Sequence, residues 1–236
     1  MCNNRYICVL IKIYVKGGKL FVGCSIKLKA FTLAEILITI GIIGIISAMT
    51  FPVLTNKIKR MDAASKLKKF NSMMLNAVIM SEQANGPVGT WTTATAENDI
   101  DTKEFFETYL KPYIKFIKTS YTSNIDSVNN RNTLYVYLND GSVFYFQKGK
   151  CVDFTFDING EKKPNTLAED QFVFLLCSDD AKNYWCNGRN WCPYNRSSIG
   201  YNKTRKDLLN ECINSPLYCS ALLEFDNWEF KSDYPY

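Results

Sequence analysis

The chain has 236 residues, 47% of them apolar and 22% charged, which is enough to bury a core and too apolar for a disordered tail. Its formal charge of +5 is unevenly placed: of the 28 basic residues, Arg5, Lys12, Lys16, Lys19, Lys27 and Lys29 lie in residues 1–30, with no acid among them. The other 22 face all 23 acidic residues, so the net charge implies no surface for phosphate and nucleic acid is not expected as a partner.

Along the chain, Phe31 to Leu54 is apolar apart from Glu35, long enough to cross about 30 Å of hydrocarbon as a helix. A cleaved secretory signal would have a shorter apolar core with its cut site behind it; here the basic stretch lies in front, so the apolar segment stays with the protein. The helical period continues past the span, with Ala63, Leu67, Phe70, Met74, Ala77 and Val78 on one face. One helix is therefore predicted from Phe31 to about Gln83, roughly 80 Å long at 1.5 Å per residue, ended by Asn85, Gly86, Pro87 and Gly89. A second helix is predicted over residues 102–118, bent at Pro112.

From Thr133 the period changes to two. The runs TLYVYL and VFYFQ flank an Asp140-Gly141 turn, a strong hairpin signal. Further strands are predicted at residues 151–158, 171–177, 220–225 and 228–231. Together they form a small antiparallel sheet covering the stripe of the long helix, an α+β fold.

The chain has nine cysteines and no His. Without His the usual general base and the usual nucleophile pairs are missing, and no enzyme is expected. Cys151, Cys177, Cys186, Cys192, Cys212 and Cys219 form an even set in a polar, aromatic C-terminal half, which fits disulfides in an oxidising compartment better than a zinc site. Asn214, Ser215 and Pro216 favour a turn between Cys212 and Cys219, which predicts a bond between these two where a helix end meets a strand start. It contributes about 2 to 3 kcal/mol on the loop-entropy model. Cys186 with Cys192 and Cys151 with Cys177 complete the set, although Cys177, Cys186 and Cys192 can exchange partners without straining any predicted element.

The run Lys27-Leu-Lys-Ala-Phe-Thr-Leu-Ala-Glu35 resembles the processing site of type IV pilins and type II secretion pseudopilins: basic residues, a small residue, Phe, then Glu five positions into an apolar helix. Pro52 lies where these families place a helix-bending proline, and Gly41 and Gly44 where their helices loosen. Ala30 departs from the usual Gly. The resemblance implies a leader of residues 1–30, cleaved after Ala30 by a prepilin peptidase. It also implies N-methylation of Phe31, an assembly helix over 31–54, and a pilin-like extracytoplasmic domain over 55–236. Glu35 is then the assembly residue: an acid inside an apolar segment is costly unless partnered, and cleavage creates a partner in the Phe31 amine, on a neighbouring subunit.

Downstream, Asp157-Ile-Asn-Gly-Glu-Lys-Lys-Pro-Asn165, Asp170-Gln-Phe-Val-Phe174, Cys219-Ser-Ala-Leu-Leu223 and Asp233-Tyr-Pro-Tyr236 are also similar to pilin-like proteins. Asp157, Asn159, Glu161 and Asp170 offer oxygens to calcium, as some pseudopilins do, but an Asn-Gly turn explains the same residues and is preferred; no cofactor is expected. The resemblance implies a pseudopilin or minor pilin of the bacterial inner membrane, single-pass, whose partners are the peptidase, other pilin subunits, and the assembly platform and motor. The alternative is a membrane-tethered extracytoplasmic module binding DNA, sugar or a surface.

Overall fold

The computed structural model describes residues 6–7, 28–29, 31–91, 102–126, 129–148, 151–195 and 202–236. The chain divides into two compact units, Met1–Lys57 and Ile58–Tyr236. In the first, strands β1 (Tyr6–Ile7) and β2 (Leu28–Lys29) pair antiparallel; Ala30, Cys2, Cys8 and Cys24 lie outside the described residues. Helix α1 (Leu33–Asn85) begins in the first unit and continues into the second. From Leu33 to Leu54 every side chain is exposed, and the segment contains an 18-residue window of mean hydropathy 2.3. It is the one described helix long and apolar enough to cross a membrane.

In the second unit the predicted stripe is the buried one: Ala63, Leu67, Phe70, Met74, Ala77 and Val78 are all in the core, joined by Ser81. Gly86, at φ +81°, takes the left-handed conformation that stops the helix, and Gly86 N–H donates to the Glu82 carbonyl at 3.0 Å. The stripe packs on a six-stranded antiparallel meander of β3 (Lys118–Asp126), β4 (Asn129–Tyr137), β5 (Val143–Lys148), β6 (Cys151–Asp157), β7 (Gln171–Cys177) and β8 (Trp191–Pro193), in that spatial order. Strand alternation puts Leu134, Val136, Phe144, Phe146, Phe154, Phe156, Phe172 and Phe174 on the face against α1. Phe70 is the hub. Its ring stacks on Phe156 at 4.1 Å and meets Phe144, Phe174 and Trp191 within 6.0 Å. Lys69 adds an ion pair to Asp140 in the β4–β5 turn at 2.7 Å. Burial works against that carboxylate, but hydrogen bonds from Lys69 and Ser142 outweigh it and hold its pKa at about 2.

Several expectations are corrected. The helix predicted over 102–118 is shorter: α2 (Thr102–Phe105) passes through a π turn (Phe106–Leu110) and a 3₁₀ turn (Lys111–Tyr113), and Ile114 is already extended. Pro112 has no N–H to continue the ladder, so it ends the helix and does not merely bend it. The strand predicted at 220–225 is helix α5 (Cys219–Phe225), five of whose seven residues are buried. A short apolar run reads equally as strand or buried helix, and here Ala, Leu and Glu favour the helix. Residues 228–231 form no strand, because the chain turns at Asn227 and Trp228, both at positive φ, and Trp228 N–H donates to the Leu223 carbonyl at 2.6 Å. Strands β3 and β8 and helix α3 (Asp179–Trp185) were not predicted; helix α4 (Arg205–Asn214) was expected only as the end preceding the Cys212 turn.

Candidate functional site

The start of α1 is built as a capping box. Thr32 N–H and Thr32 Oγ1 both donate to Glu35 Oε2 at 2.8 Å, and Glu35 N–H donates back to Thr32 Oγ1 at 3.2 Å. The threonine hydroxyl satisfies one orphan donor of the first turn and the carboxylate another, and the carboxylate sits at the positive end of the helix dipole. The Thr-x-x-Glu spacing announces this box in the sequence, yet Thr32 was not singled out. Phe31, just before it, is 80% exposed. Gly41, Gly44 and Pro52 all lie inside the continuous helix. A Cβ on either glycine would meet nothing within 4 Å, so no contact among the described residues requires glycine there. Pro52 deprives the Ala48 carbonyl of its helical donor, and Thr55 Oγ1 donates to the Pro52 carbonyl at 3.0 Å.

The loop between β6 and β7 gathers Asp157, Asn159 and Asp170, while Glu161 faces away to Tyr137. Both aspartates are 4% exposed, so each needs donors. Asp157 accepts from Asn159 N–H at 3.1 Å and Gln171 Nε2 at 3.0 Å. Asp170 accepts from Asn159 Nδ2 and Asn165 N–H, both at 2.9 Å, and from Thr166 N–H. Gly160, at φ +71°, has to be glycine, because a Cβ there would lie 2.7 Å from the Gly141 carbonyl. Burial raises the Asp157 pKa, with Asp170 adding to it against the hydrogen bonds. Glu161 accepts from Tyr137 OH at 2.6 Å, and this bond, with burial second, pushes the phenol up to about 12. These N–H donors are the ones that the turn supplies, and Asn159 Oδ1 is the buried oxygen without a donor. Among the described residues no group of three His, Cys, Asp or Glu side chains is placed to hold a metal ion.

Three disulfides staple the second unit. Cys151 joins Cys177 across the β6–β7 ladder, Cys186 joins Cys192 across the α3–β8 turn, and Cys212 joins Cys219 between α4 and α5, with Cα separations of 4.3, 5.6 and 4.5 Å. The Cys212 bond therefore links a helix end to a helix start, not to a strand. Beside them, Arg189 and Glu224 form a two-pronged ion pair at 2.9 and 2.8 Å. The pair borders a groove of about 270 Å³ whose apolar wall is Leu75, Val78, Ile79 and Trp191.

Comparison with known proteins gives one family: a model described as a family of unknown function, DUF6613, matches residues 53–236. The chain belongs to this family. No curated protein and no solved structure matches it. The matched stretch starts at Val53, so it takes in the β6–β7 loop, all three disulfides and the groove, and excludes Thr32 and Glu35.

Proposed function

We propose that this DUF6613 protein is a pilin-like structural subunit, a pseudopilin or minor pilin, whose precursor is cut after Ala30 by a prepilin peptidase and whose apolar helix holds it in the bacterial inner membrane until an assembly platform and motor draw it into a filament. The observation that carries the reading is the exposed, largely apolar run from Leu33 to Leu54, whose one charged group is a carboxylate at its first turn. Water does not tolerate such a surface. Lipid accepts it in the precursor, and neighbouring copies of the same helix would cover it after assembly. Glu35 gives the helix a charged head to meet a Phe31 amine, and a simple tether has no use for one. Disulfides suit a domain on the oxidising side of the membrane, and the domain performs no chemistry of its own.

The groove beside Leu75 and Ile79 favours a second reading, a membrane-tethered module that binds a ligand outside the cell. The N-terminus of the mature protein separates the two. Mass spectrometry of protein recovered from membranes should find a chain starting at a methylated Phe31. A mature chain that keeps Cys2 to Ala30 would overturn the pilin reading and leave the tether.

A further inference from the structure

Two of the three disulfides in the second unit touch. Cys177 Sγ, bonded to Cys151, lies 3.6 Å from Cys186 Sγ, bonded to Cys192. All four cysteines are buried in one satellite cluster with Leu175 and Ala181, packed against Trp185 and Tyr194. Cys177 is tied to the segment that follows α3: Cys177 N–H donates to the Asn190 carbonyl at 2.7 Å, and the Asn190 side chain donates through Nδ2 to the Cys177 carbonyl at 3.0 Å. Cys192, in contrast, sits in β8, a three-residue edge strand paired on one side only. All three β8 residues are buried, so a reductant reaches Cys192 only when this edge parts from β7.

We propose that these four cysteines form an exchange relay, in which reduction at the β8 edge is passed through Cys186 and Cys177 to Cys151. When β8 opens, a thiolate of a small dithiol attacks Cys192 Sγ. The Cys186–Cys192 bond breaks and Cys186 leaves with the electron pair as a thiolate. Cys186, still beside Cys177, attacks Cys177 Sγ. A Cys177–Cys186 bond forms, the Cys151–Cys177 bond breaks, and Cys151 carries off the electron pair and takes a proton. The second thiol of the reductant then attacks the mixed disulfide, so the dithiol is oxidised to its disulfide and Cys192 is released as a thiol. The net change is one external disulfide made, one protein disulfide exchanged, and Cys151 and Cys192 left reduced. The sheet survives the loss of the Cys151 bond because β6 and β7 stay paired along seven residues. The relay gives the domain a two-state disulfide arrangement set by its thiol environment, and a route for correcting mispaired cysteines without unfolding.

The test uses the full-length protein in detergent, exposed to increasing dithiothreitol, quenched with N-ethylmaleimide and mapped as non-reduced peptides. The expected first product is a Cys177–Cys186 cross-link with the label on Cys151 and Cys192, while Cys212–Cys219 stays intact. Label on Cys186 and Cys192 with Cys151–Cys177 unbroken overturns the relay, as does labelling of all six together. A Cys192→Ser variant tests the same step without reductant. Its unpaired sulfur should be shared, shifting label from Cys186 to Cys151, whereas label confined to Cys186 would again overturn the proposal.

Discussion

At the scale of single residues, the Thr32–Glu35 box and the proposed assembly role of Glu35 can be told apart because glutamine also closes a capping box. Glu35→Gln should insert into the membrane and keep its helix start, yet lose out to the parent chain for places in the filament, since it lacks the charge that meets the Phe31 amine. Thr32→Ala should cost about 1 kcal/mol of helix capping with a smaller effect on incorporation. Both are read by the ratio of the two chains in sheared filaments after co-expression, and equal incorporation of Glu35→Gln would make the charge unnecessary. The two buried aspartates make a second pair of opposites. Asp170 accepts N–H donors on both oxygens, so Asp170→Asn turns an amide NH₂ against them and should cost about 1 to 3 kcal/mol. Asp157 has its pKa raised, first by burial. A carboxyl with a raised folded pKa binds its proton more tightly in the native state, so it lowers stability as the pH rises from the ordinary carboxylate value through the folded one. Asp157→Asn should therefore raise the melting temperature at pH 7, once the Gln171 amide turns to accept, and lose that gain below about pH 4. Equal destabilisation by both substitutions in thermal melts would refute this account.

At the scale of elements, the tail after α5 is tied to α4 by one guanidinium. Arg205 bonds Asp226 through Nε and Nη2 at 2.7 to 3.0 Å and Asp233 through Nη1 and Nη2 at 2.7 Å. Asp226 is buried, which alone would raise its pKa, but Arg205 and Lys231 outweigh burial and lower it. A depressed folded pKa means stability that is present above the unfolded value and lost as the pH falls through the folded one. The clamp should thus hold at neutral pH and weaken below about pH 4. Arg205→Ala should lower stability at pH 7 and much less at pH 3, measured by denaturant unfolding at the two values; Lys231, 3.1 Å from Asp226, limits the loss. The Cys212–Cys219 bond closes a short loop, worth about 2.5 kcal/mol on the chain-entropy model. Because it joins two helices, Cys219→Ser should loosen α4 and α5 first, seen as early hydrogen exchange there while β5 to β7 remain protected. Simultaneous exchange in the sheet would show that the staple supports the whole domain.

For the molecule as a whole, the long helix, its apolar first part, its buried stripe and the β4–β5 hairpin are all legible in the residue order. Each of these is written as a periodicity or a turn dipeptide that local sterics and burial read the same way wherever the chain goes. The six cysteines were legible as a set, and the Cys212 pair within it, because few residues separate that pair. Elements whose signal is short or ambiguous took their form from packing. Residues 219–225 bury five side chains in succession, a run compatible with either state, and became a helix once α4 and the sheet enclosed them. Strand β8 has three residues and exists because β7 offers it a partner. The β6–β7 loop showed its residues in the sequence but not their use, since whether Asp157 and Asp170 face a cation or N–H donors depends on where Asn165, Thr166 and Gln171 bring their hydrogens. The meeting of Cys177 with Cys186 belongs to the same class: two sulfurs nine residues apart come within 3.6 Å because α3 folds back on the end of β7, and no local rule encodes that distance.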